Sequence, residues 1–145
     1  MNVPPRQVFC DTSFFYACLD EHDSHYDEAG RLLTFCQKHR VQFVTTWDII
    51  LETVTLLRYR VGYRPALDFL DTALPTITLV EYDIHVRNEA VNVFRRLSRD
   101  KELSLCDALS YVIVTQILDN IPSLTFDSDF KDIGLSILNL PPATP

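Results

Sequence analysis

Four carboxylic acids in this 145-residue sequence lie on or next to strongly apolar segments. Asp11 follows the run QVFC, Asp127 follows SLTF, Asp107 follows LSLC, and Glu52 lies inside IILETV. Carboxylates held close together raise one another's pKa unless some are protonated or a cation neutralises them. Oxygen ligands without His or Cys suit a hard ion such as Mg²⁺ or Mn²⁺. The pattern therefore indicates a site for a divalent cation, provided that the fold gathers the four acids.

Each acid also has a purely structural interpretation. Asp11, in DTS, fits a helix N-cap, and the S-x-x-D pattern ending at Asp107 fits a capping box. Asp127 fits a turn after a strand. Glu52 fits a partly exposed residue paired with an Arg, although its apolar neighbours predict that it is not freely solvated. The combination favours a site, because chance capping would not place four acids on segments this hydrophobic.

The elements that must position these acids alternate between strands and helices. Short apolar runs predict five strands, at residues 7–10, 41–45, 76–80, 123–126 and 135–138. Helical periodicity predicts helices over 13–19, about 25–39, 47–60, 64–73, 83–99 and 105–118. Such alternation implies βαβ units, hence an α/β fold with a parallel sheet covered on both faces. Ligands of these sheets bind beyond the carboxyl ends of strands, where Asp11 and Asp127 fall.

Composition limits the class of protein. A chain of 145 residues and 16.7 kDa supports one domain, 1–145, with its core at about 6–139. Its 20 acidic and 13 basic residues give a formal net charge of −7, which argues against coating nucleic acid through a basic surface. No apolar run approaches the roughly 18 residues of a membrane span, and the N-terminus lacks the pattern of a secretory signal.

The remaining residue types exclude several cofactor sites. Three glycines are too few for the Gly-rich loops that cradle nucleotides. The four cysteines form no CxxC pair and the four histidines no zinc-binding spacing. We expect the thiols to be reduced, as in a cytoplasmic protein.

In order and spacing, these motifs resemble the PIN domain, most closely the VapC-type toxin ribonucleases of toxin–antitoxin modules. The resemblance rests on DTSFFYA after a strand, a Glu in the helix after the second strand, D-K-x-L-S-L-x-D-A and T-x-D-x-D-F, and it covers about residues 6–139. It implies a PIN-like α/β/α sandwich with a central parallel sheet of about five strands. It also implies metal-dependent hydrolysis of RNA phosphodiester bonds. Asp11, Glu52, Asp107 and Asp127 match the four acidic positions of that family, which are both catalytic residues and metal ligands.

Further positions follow from the resemblance. Asp129 matches a position where an additional acidic ligand sometimes occurs. Either Thr12 or Ser13 looks like the hydroxyl that supports the metal site, and Thr125 matches the Thr two residues before the last acid. Asp48 lies nearer the start of its helix than the matching Glu, so we interpret it as a first-turn acid stabilised by the helix dipole.

The chemistry that the resemblance implies uses one or two Mg²⁺ or Mn²⁺ ions between the carboxylates and the scissile phosphate. Such an ion lowers the pKa of a bound water and stabilises the charge that develops on the phosphate. Asp11 or Asp107 would orient the water.

Basic side chains near the motifs are candidates for contacts with RNA phosphates, with a solvated helix face as the alternative: Arg58, Arg60, Arg64, Arg95, Arg96, Arg99 and Lys101. Arg96, Arg99 and Lys101 are favoured because they lead into the Asp107 helix. Several aromatic residues could stack on bases, with a place in the core as the alternative: Tyr16, Tyr59, Tyr63 and Phe130.

Other readings of the motifs differ in class. A haloacid-dehalogenase-type phosphatase needs D-x-D and the chain has Ser13 at the second position, while a receiver domain needs paired acids and a late Lys that are absent. A PIN nuclease of RNA maturation and a non-catalytic PIN-like RNA-binding domain both stay open.

The expected partners are RNA, a cognate antitoxin and a second copy of the chain. An antitoxin could silence an acid-lined pocket by placing an Arg or Lys where the metal binds. The faces around Phe14, Phe15 and Tyr16 are the predicted docking surface for an antitoxin helix or for the second copy of a homodimer.

Overall fold

The computed structural model describes residues 3–141, so the ends of the predicted domain, 1–2 and 142–145, lie outside the described residues. The strands are β1 Gln7–Cys10, β2 Gln42–Thr45, β3 Thr78–Leu79 and β4 Ser123–Leu124. The helices are α1 Thr12–Leu19, α2 Tyr26–Lys38, α3 Trp47–Arg60, α4 Tyr63–Asp68, α5 Ile84–Leu97, α6 Leu105–Val112 and α7 Ser128–Asp132. Elements therefore alternate as the sequence predicts.

All strands are parallel, in the spatial order β3-β2-β1-β4. The central strand β1 pairs Gln7 with Gln42 on one side and Phe9 with Ser123 on the other. Val8, Phe9 and Cys10 are wholly buried, as expected for a central strand with both faces covered. The predicted α/β class with a parallel sheet between helices is confirmed.

The strand order creates one topological switch point. From β1 the chain steps to β2 and then to β3, whereas β4 returns to the opposite side of β1. The connections leave β1 and β4 in opposite directions, which opens a crevice beyond their carboxyl ends. Asp11 follows β1 and Asp127 lies three residues after β4, so both strand-end acids border this crevice.

The sheet has four strands among the described residues, one fewer than predicted. In the segment 135–138, Ile137 forms only an isolated parallel bridge to Ser123. The Ser123 amide donates to the Ser136 carbonyl at 2.8 Å, and the Leu138 amide donates to the Ser123 carbonyl at 2.9 Å. Strand β4 has only two residues, and only Ser123 pairs with the segment 135–138, so no continuous ladder of hydrogen bonds forms there.

Two predicted helices change geometry before they end. The helix predicted at 64–73 is α4 followed by a π-helical turn at Phe69–Ala73, and the one predicted at 105–118 is α6 followed by a π-helical turn at Ile113–Ile117. Asp119 and Asn120 then adopt positive φ, which short polar side chains tolerate better than others.

The predicted docking surface on α1 is wrong. Phe14, Phe15 and Tyr16 are all buried in the core. Phe14 packs edge-on against Phe43 of β2, with ring centroids 5.8 Å apart, and Phe15 packs against Phe69 at 5.4 Å. The apolar face of α1 is therefore buried against the sheet and the neighbouring helices. Helical periodicity alone does not distinguish such a buried face from a surface that binds a partner.

None of the helices within residues 3–141 is both long and apolar enough to cross a membrane.

Candidate active site

The four predicted acids line one cleft of about 440 Å³ at the carboxyl edge of the sheet, which we call the acidic cleft. Asp11 and Asp127 enter it from the ends of β1 and β4, Glu52 from α3, and Asp107 from the first turn of α6. Other lining residues come from α1, α3 and the loops around them: Thr12, Ser13, Tyr16, Asp23, His25, Leu56, Arg60, Ser104 and Phe126.

Asp11 is the most buried of the acids, with 4% of its surface exposed. It precedes α1 in the N-cap position, yet its side chain makes no capping hydrogen bond. Instead, Oδ2 accepts hydrogen bonds from Ser13 Oγ and Thr125 Oγ1, each at 2.9 Å. Burial, and then the neighbouring Asp107 carboxylate, raise the pKa of Asp11 to about 6, although the two hydroxyls act in the opposite direction.

The two hydroxyls also connect α1 to the segment after β4. Ser13 Oγ accepts from the Phe126 amide at 2.9 Å, and Thr125 Oγ1 accepts from the Asp127 amide at 3.1 Å. Of the two hydroxyls that the DTS motif offers, Ser13 is therefore the one beside Asp11. The Thr12 hydroxyl is buried and has no hydrogen-bond partner in the part of the chain that the structure describes.

Asp107 both caps helix α6 and lines the acidic cleft. A capping box starts α6: Ser104 Oγ accepts from the Asp107 amide, and Asp107 Oδ2 accepts from the Ser104 amide, both at 3.0 Å. Burial is the main reason that the pKa of Asp107 is raised, and the nearby Asp127 and Glu52 carboxylates add to it. Asp107 thus interacts electrostatically with each of the other three acids.

Asp127 is the N-cap of α7, where Oδ1 accepts from the Asp129 amide at 2.9 Å. Asp129 itself does not line the acidic cleft. In Asp11, Asp107 and Asp127 alike, hydrogen bonds hold one carboxylate oxygen, and the other has no hydrogen bond from a described residue. Outer partners of this kind orient ligating side chains at metal sites.

Glu52 is exposed, contrary to the expectation that its apolar neighbours would keep it from solvent. Those neighbours lie on other faces of α3, since residues adjacent in a helix do not share a face. Asp48, one turn earlier, accepts a hydrogen bond from the Tyr82 hydroxyl at 2.8 Å and does not line the cleft. Burial, and then this bond, raise the pKa of Tyr82 to about 12. Asp48 thus holds the segment after β3, while Glu52 faces the cleft.

The acids suit a divalent cation by type more than by their present spacing. Among residues 3–141, no three His, Cys, Asp or Glu side chains are close enough together to hold an ion as they stand. The donor set nonetheless fits a hard cation, because carboxylates that raise one another's pKa gain from a positive charge between them.

All but one of the predicted contacts to RNA phosphates lie outside the cleft. Arg58, Arg96 and Arg99 are exposed and Lys101 is half-buried, and none of them lines it. Arg60, which the sequence also put forward for a phosphate contact, does line it.

Sequence reasoning missed His25 and Asp23, which line the cleft from the loop between α1 and α2. No local pattern marks them, because they meet the site only through the segment that follows β4. Tyr16 is buried, as the core alternative predicted, and yet its side chain also reaches the cleft.

Comparison with known proteins agrees with this geometry. The model of the PIN domain family matches residues 8–135. A curated relative, the 23S rRNA-specific endonuclease VapC20 of Mycobacterium tuberculosis, is 30% identical over 128 residues, which are 88% of this chain and 94% of the relative. A VapC ribonuclease of Archaeoglobus fulgidus is 27% identical over 119 residues, 81% of this chain and 72% of that protein.

A solved structure also superposes on nearly the whole fold. The crystal structure of M. tuberculosis VapC20, described as a sarcin-ricin loop cleaving toxin, matches with a TM-score of 0.79 and 24% identity, over 92% of this chain and 99% of that one. The family model covers most of the chain, including all four acids of the cleft. This chain therefore belongs to the PIN domain family, with VapC ribonucleases among its relatives.

Proposed function

We propose that this protein is a metal-dependent endoribonuclease that hydrolyses RNA phosphodiester bonds in the acidic cleft, and that it is the toxin of a type II toxin–antitoxin pair. One observation carries the proposal. Asp11, Asp107 and Asp127 meet in a single cleft, each with one carboxylate oxygen held by hydrogen bonds and one left over. Such carboxylate oxygens are ligands that a hard cation takes, and binding of the ion would draw the side chains together.

The ligands we assign to Mg²⁺ or Mn²⁺ are Asp11, Asp107 and Asp127, with Glu52 completing the set. When bound, the ion supplies Lewis-acid stabilisation of the charge that develops on the phosphate. Ser13 and Thr125 hold Asp11 Oδ2, and we assign Oδ1 to the ion. Asp129 supports the site through its backbone amide, which orients Asp127.

The attacking water is oriented by a carboxylate oxygen that accepts its hydrogen bond. Asp11 and Asp107 are the candidates, since each keeps one oxygen free of protein donors among the described residues. Glu52, which is exposed, would complete the ligand set when the ion is bound.

The substrate we propose to test first is 23S rRNA, because the M. tuberculosis relative at 30% identity is named for cleaving it. The location we propose is the cytoplasm, which this substrate and the free cysteines support. The four cysteines are free.

The protein partners we propose are an antitoxin and a second copy of the chain. An arginine of the antitoxin would enter the acidic cleft and replace the cation. Their docking surfaces use exposed apolar side chains instead of the buried face of α1. Trp47, Leu51, Ile84 and Leu105 are each about half exposed. Light scattering after gel filtration tests the homodimer.

The decisive experiment is cleavage of purified 23S rRNA with Mg²⁺, with Mn²⁺ and with EDTA, by the wild type and by Asp11→Asn and Asp107→Asn. We expect specific fragments only from the wild type with a cation. Equal cleavage in EDTA, or by both variants, would overturn the metal mechanism.

Growth distinguishes a toxin from a nuclease of RNA maturation. We expect expression of the wild type to arrest growth, Asp11→Asn to be harmless, and co-expression of the neighbouring gene product to restore growth. Cleavage without growth arrest would favour the maturation nuclease. Binding of RNA without any cleavage would favour the non-catalytic domain.

A further inference from the structure

One part of the acidic cleft has no role in the proposed chemistry. Beyond the carboxylates, it is lined by Tyr16, Asp23, His25, Arg60 and Phe126, which we call the Arg60 subsite. Its residues come from α1, the α1–α2 loop, α3 and the segment after β4. Arg60 is the only Lys or Arg that lines the cleft in the described part of the chain.

Helix α3 sets the distance between the two parts of the cleft. Glu52, Leu56 and Arg60 are four residues apart and lie on one face of the helix, and all three line the cleft. Eight residues of helix separate the backbones of Glu52 and Arg60 by about 12 Å along the axis. Arg60 therefore reaches a phosphate next to the scissile one, not the phosphate held by the carboxylates.

The Arg60 side chain is positioned by Tyr16 and forms no direct ion pair among residues 3–141, although the Asp20 carboxylate is near enough to interact with its charge. Its guanidinium lies 5.5 Å from the centroid of the Tyr16 ring, and the Tyr16 hydroxyl donates to Asp20 Oδ2 at 2.5 Å. No carboxylate lies within ion-pair distance of Arg60 in the chain from residue 3 to 141. Asp23 also lines the subsite, with Oδ1 accepting from the His25 amide at 2.8 Å.

A flat aromatic stack lies in the same subsite. The His25 and Phe126 rings are parallel within 4°, with centroids 4.4 Å apart. The Phe126 amide donates to Ser13 Oγ, the hydroxyl that also donates to Asp11. The His25 side chain is 46% exposed, with Nδ1 4.0 Å from Glu28 Oε2, so that part of the ring is accessible to a planar ligand. The stack is thus fixed relative to the catalytic carboxylates.

We propose that the Arg60 subsite binds the unpaired nucleotide beside the scissile phosphate: Arg60 binds its phosphate and the outer face of His25 stacks on its base. The proposal rests on the ribonuclease function proposed above and adds to it two contacts, from Arg60 and from His25, with the nucleotide next to the scissile bond. A base must be unstacked from its neighbours to lie on a side chain, which loops and single strands allow and duplexes do not.

The test measures binding of a fluorescein-labelled single-stranded RNA, and of the same sequence as a duplex, by fluorescence anisotropy. All proteins carry Asp11→Asn, so that the RNA survives. We expect Arg60→Ala to raise Kd for the single strand about tenfold or more. The slope of log K against log salt should become shallower by about 0.7, the value for one lost phosphate contact on a single strand.

The second variant separates stacking from charge. His25→Ala should raise Kd about fivefold or more at an unchanged salt slope, because the lost contact is stacking. Two matched controls should leave both quantities unchanged: Arg6→Ala, an exposed arginine just before β1 that does not line the cleft, and His22→Ala, an exposed histidine of the same loop. Arg60→Gln replaces Arg60→Ala if circular dichroism shows that the latter is unfolded.

The outcomes distinguish this proposal from the one on which it rests. Equal Kd values for the Arg60 and Arg6 variants, or equal binding of the single strand and the duplex, would overturn the subsite. Arg60-dependent binding with no cleavage of RNA by the wild type would leave the subsite standing and overturn the ribonuclease function. Cleavage by the wild type with a KM that Arg60→Ala does not change would overturn the subsite alone.

Discussion

The two edges of the parallel sheet both carry concave surfaces, but their side chains are held differently. At the carboxyl edge, the acidic cleft of about 440 Å³ contains a buried carboxylate that two hydroxyls hold. At the amino edge, a larger cavity of about 660 Å³ lies among the starts of the strands. Its lining residues are basic or uncharged: Pro4, Pro5, Arg6, Gln7, His39, Arg40, Gln42, Ile121 and Pro122.

The difference shows that convergence of fixed polar groups, and not volume, marks the site. Arg6, His39 and Arg40 are exposed, so water already solvates their charges. Asp11 is buried beside Asp107, and its charge is costly unless a cation or a proton compensates it. Groups held at such a cost gather where a ligand offsets it. Four predictions test this contrast between the two edges of the sheet.

The largest effect is expected at the buried carboxylate. We expect Asp11→Asn to reduce the cleavage rate by about 10³-fold or more, because a bound metal contributes several kcal/mol to the transition state. Arg6→Ala at the amino edge is the control and should cleave at the wild-type rate. The measurement is the single-turnover rate on 23S rRNA. If both variants lost activity equally, the two edges would not differ in function.

The hydroxyls beside Asp11 should matter next. We expect Ser13→Ala to lower cleavage about 10- to 100-fold, as losses of supporting groups at metal sites do. Because the Ser13 hydroxyl helps to keep the pKa of Asp11 down, the acid limb of the pH–rate profile should move to higher pH. Thr12→Ala is the matched control, since its hydroxyl has no partner among the described residues. Equal losses in the two variants would refute the role of Ser13.

Stability should reveal the cost of the buried carboxylate without any substrate. The pKa of Asp11 is about 6 in the folded protein, above its ordinary value of 3.8. The folded state therefore binds the proton more tightly, and the metal-free protein is favoured below about pH 4 and loses stability as the pH rises through 6. The loss is roughly 3 kcal/mol at most for a shift of this size.

The Asp11→Asn protein has no ionisable group at this position, so its stability should lack this fall with rising pH. Urea unfolding in EDTA, from pH 4 to pH 8, compares the two proteins. Parallel stability curves would show that the carboxylate is not strained by its burial.

The smallest effect is expected at the amino edge. Helix α2 ends in a Schellman motif: the Val41 amide donates to the Cys36 carbonyl at 2.9 Å, and the Arg40 amide to that of Gln37 at 3.3 Å. Arg40 occupies the left-handed position of this motif with φ of 54°, where glycine is preferred. Arg40→Gly should raise the free energy of unfolding by about 0.5–1 kcal/mol.

Cleavage by Arg40→Gly should stay at the wild-type rate, because the residue lies far from the acidic cleft on the opposite edge of the sheet. Urea unfolding and the cleavage assay check the two halves of this prediction. A change in cleavage would mean that the amino edge takes part in function after all.

The sequence predicted most of what depends on neighbours along the chain. Apolar runs and periodicity placed the strands and helices, and the strand ends identified Asp11 and Asp127. The S-x-x-D pattern predicted the capping box at Asp107, which the structure confirms. Capping and lining the cleft are compatible there, because the two oxygens of one carboxylate can serve different partners. A sequence cannot show which oxygen is engaged.

Contacts between distant segments were decided only by the tertiary structure. Thr125 meets Asp11 across 114 residues, and this contact requires β4 to pair with β1 on the side away from β2. The same return of the chain brings Phe126 against His25, and the course of α3 brings Arg60 into the cleft while Arg58 stays outside. The tertiary structure also buries Phe14 and Phe15 against Phe43 and Phe69. From the sequence alone, this apolar face of α1 fits a core and a docking surface equally well.

The types and order of the acids were thus determined by the sequence itself, because the chemistry of a carboxylate belongs to the residue. Their distances, burial and partners were decided by the strand order, because electrostatic coupling depends on separation in space. Asp11 shows both: its place after a strand is written in FCDTS, and its raised pKa exists only where β1, β4 and α6 meet.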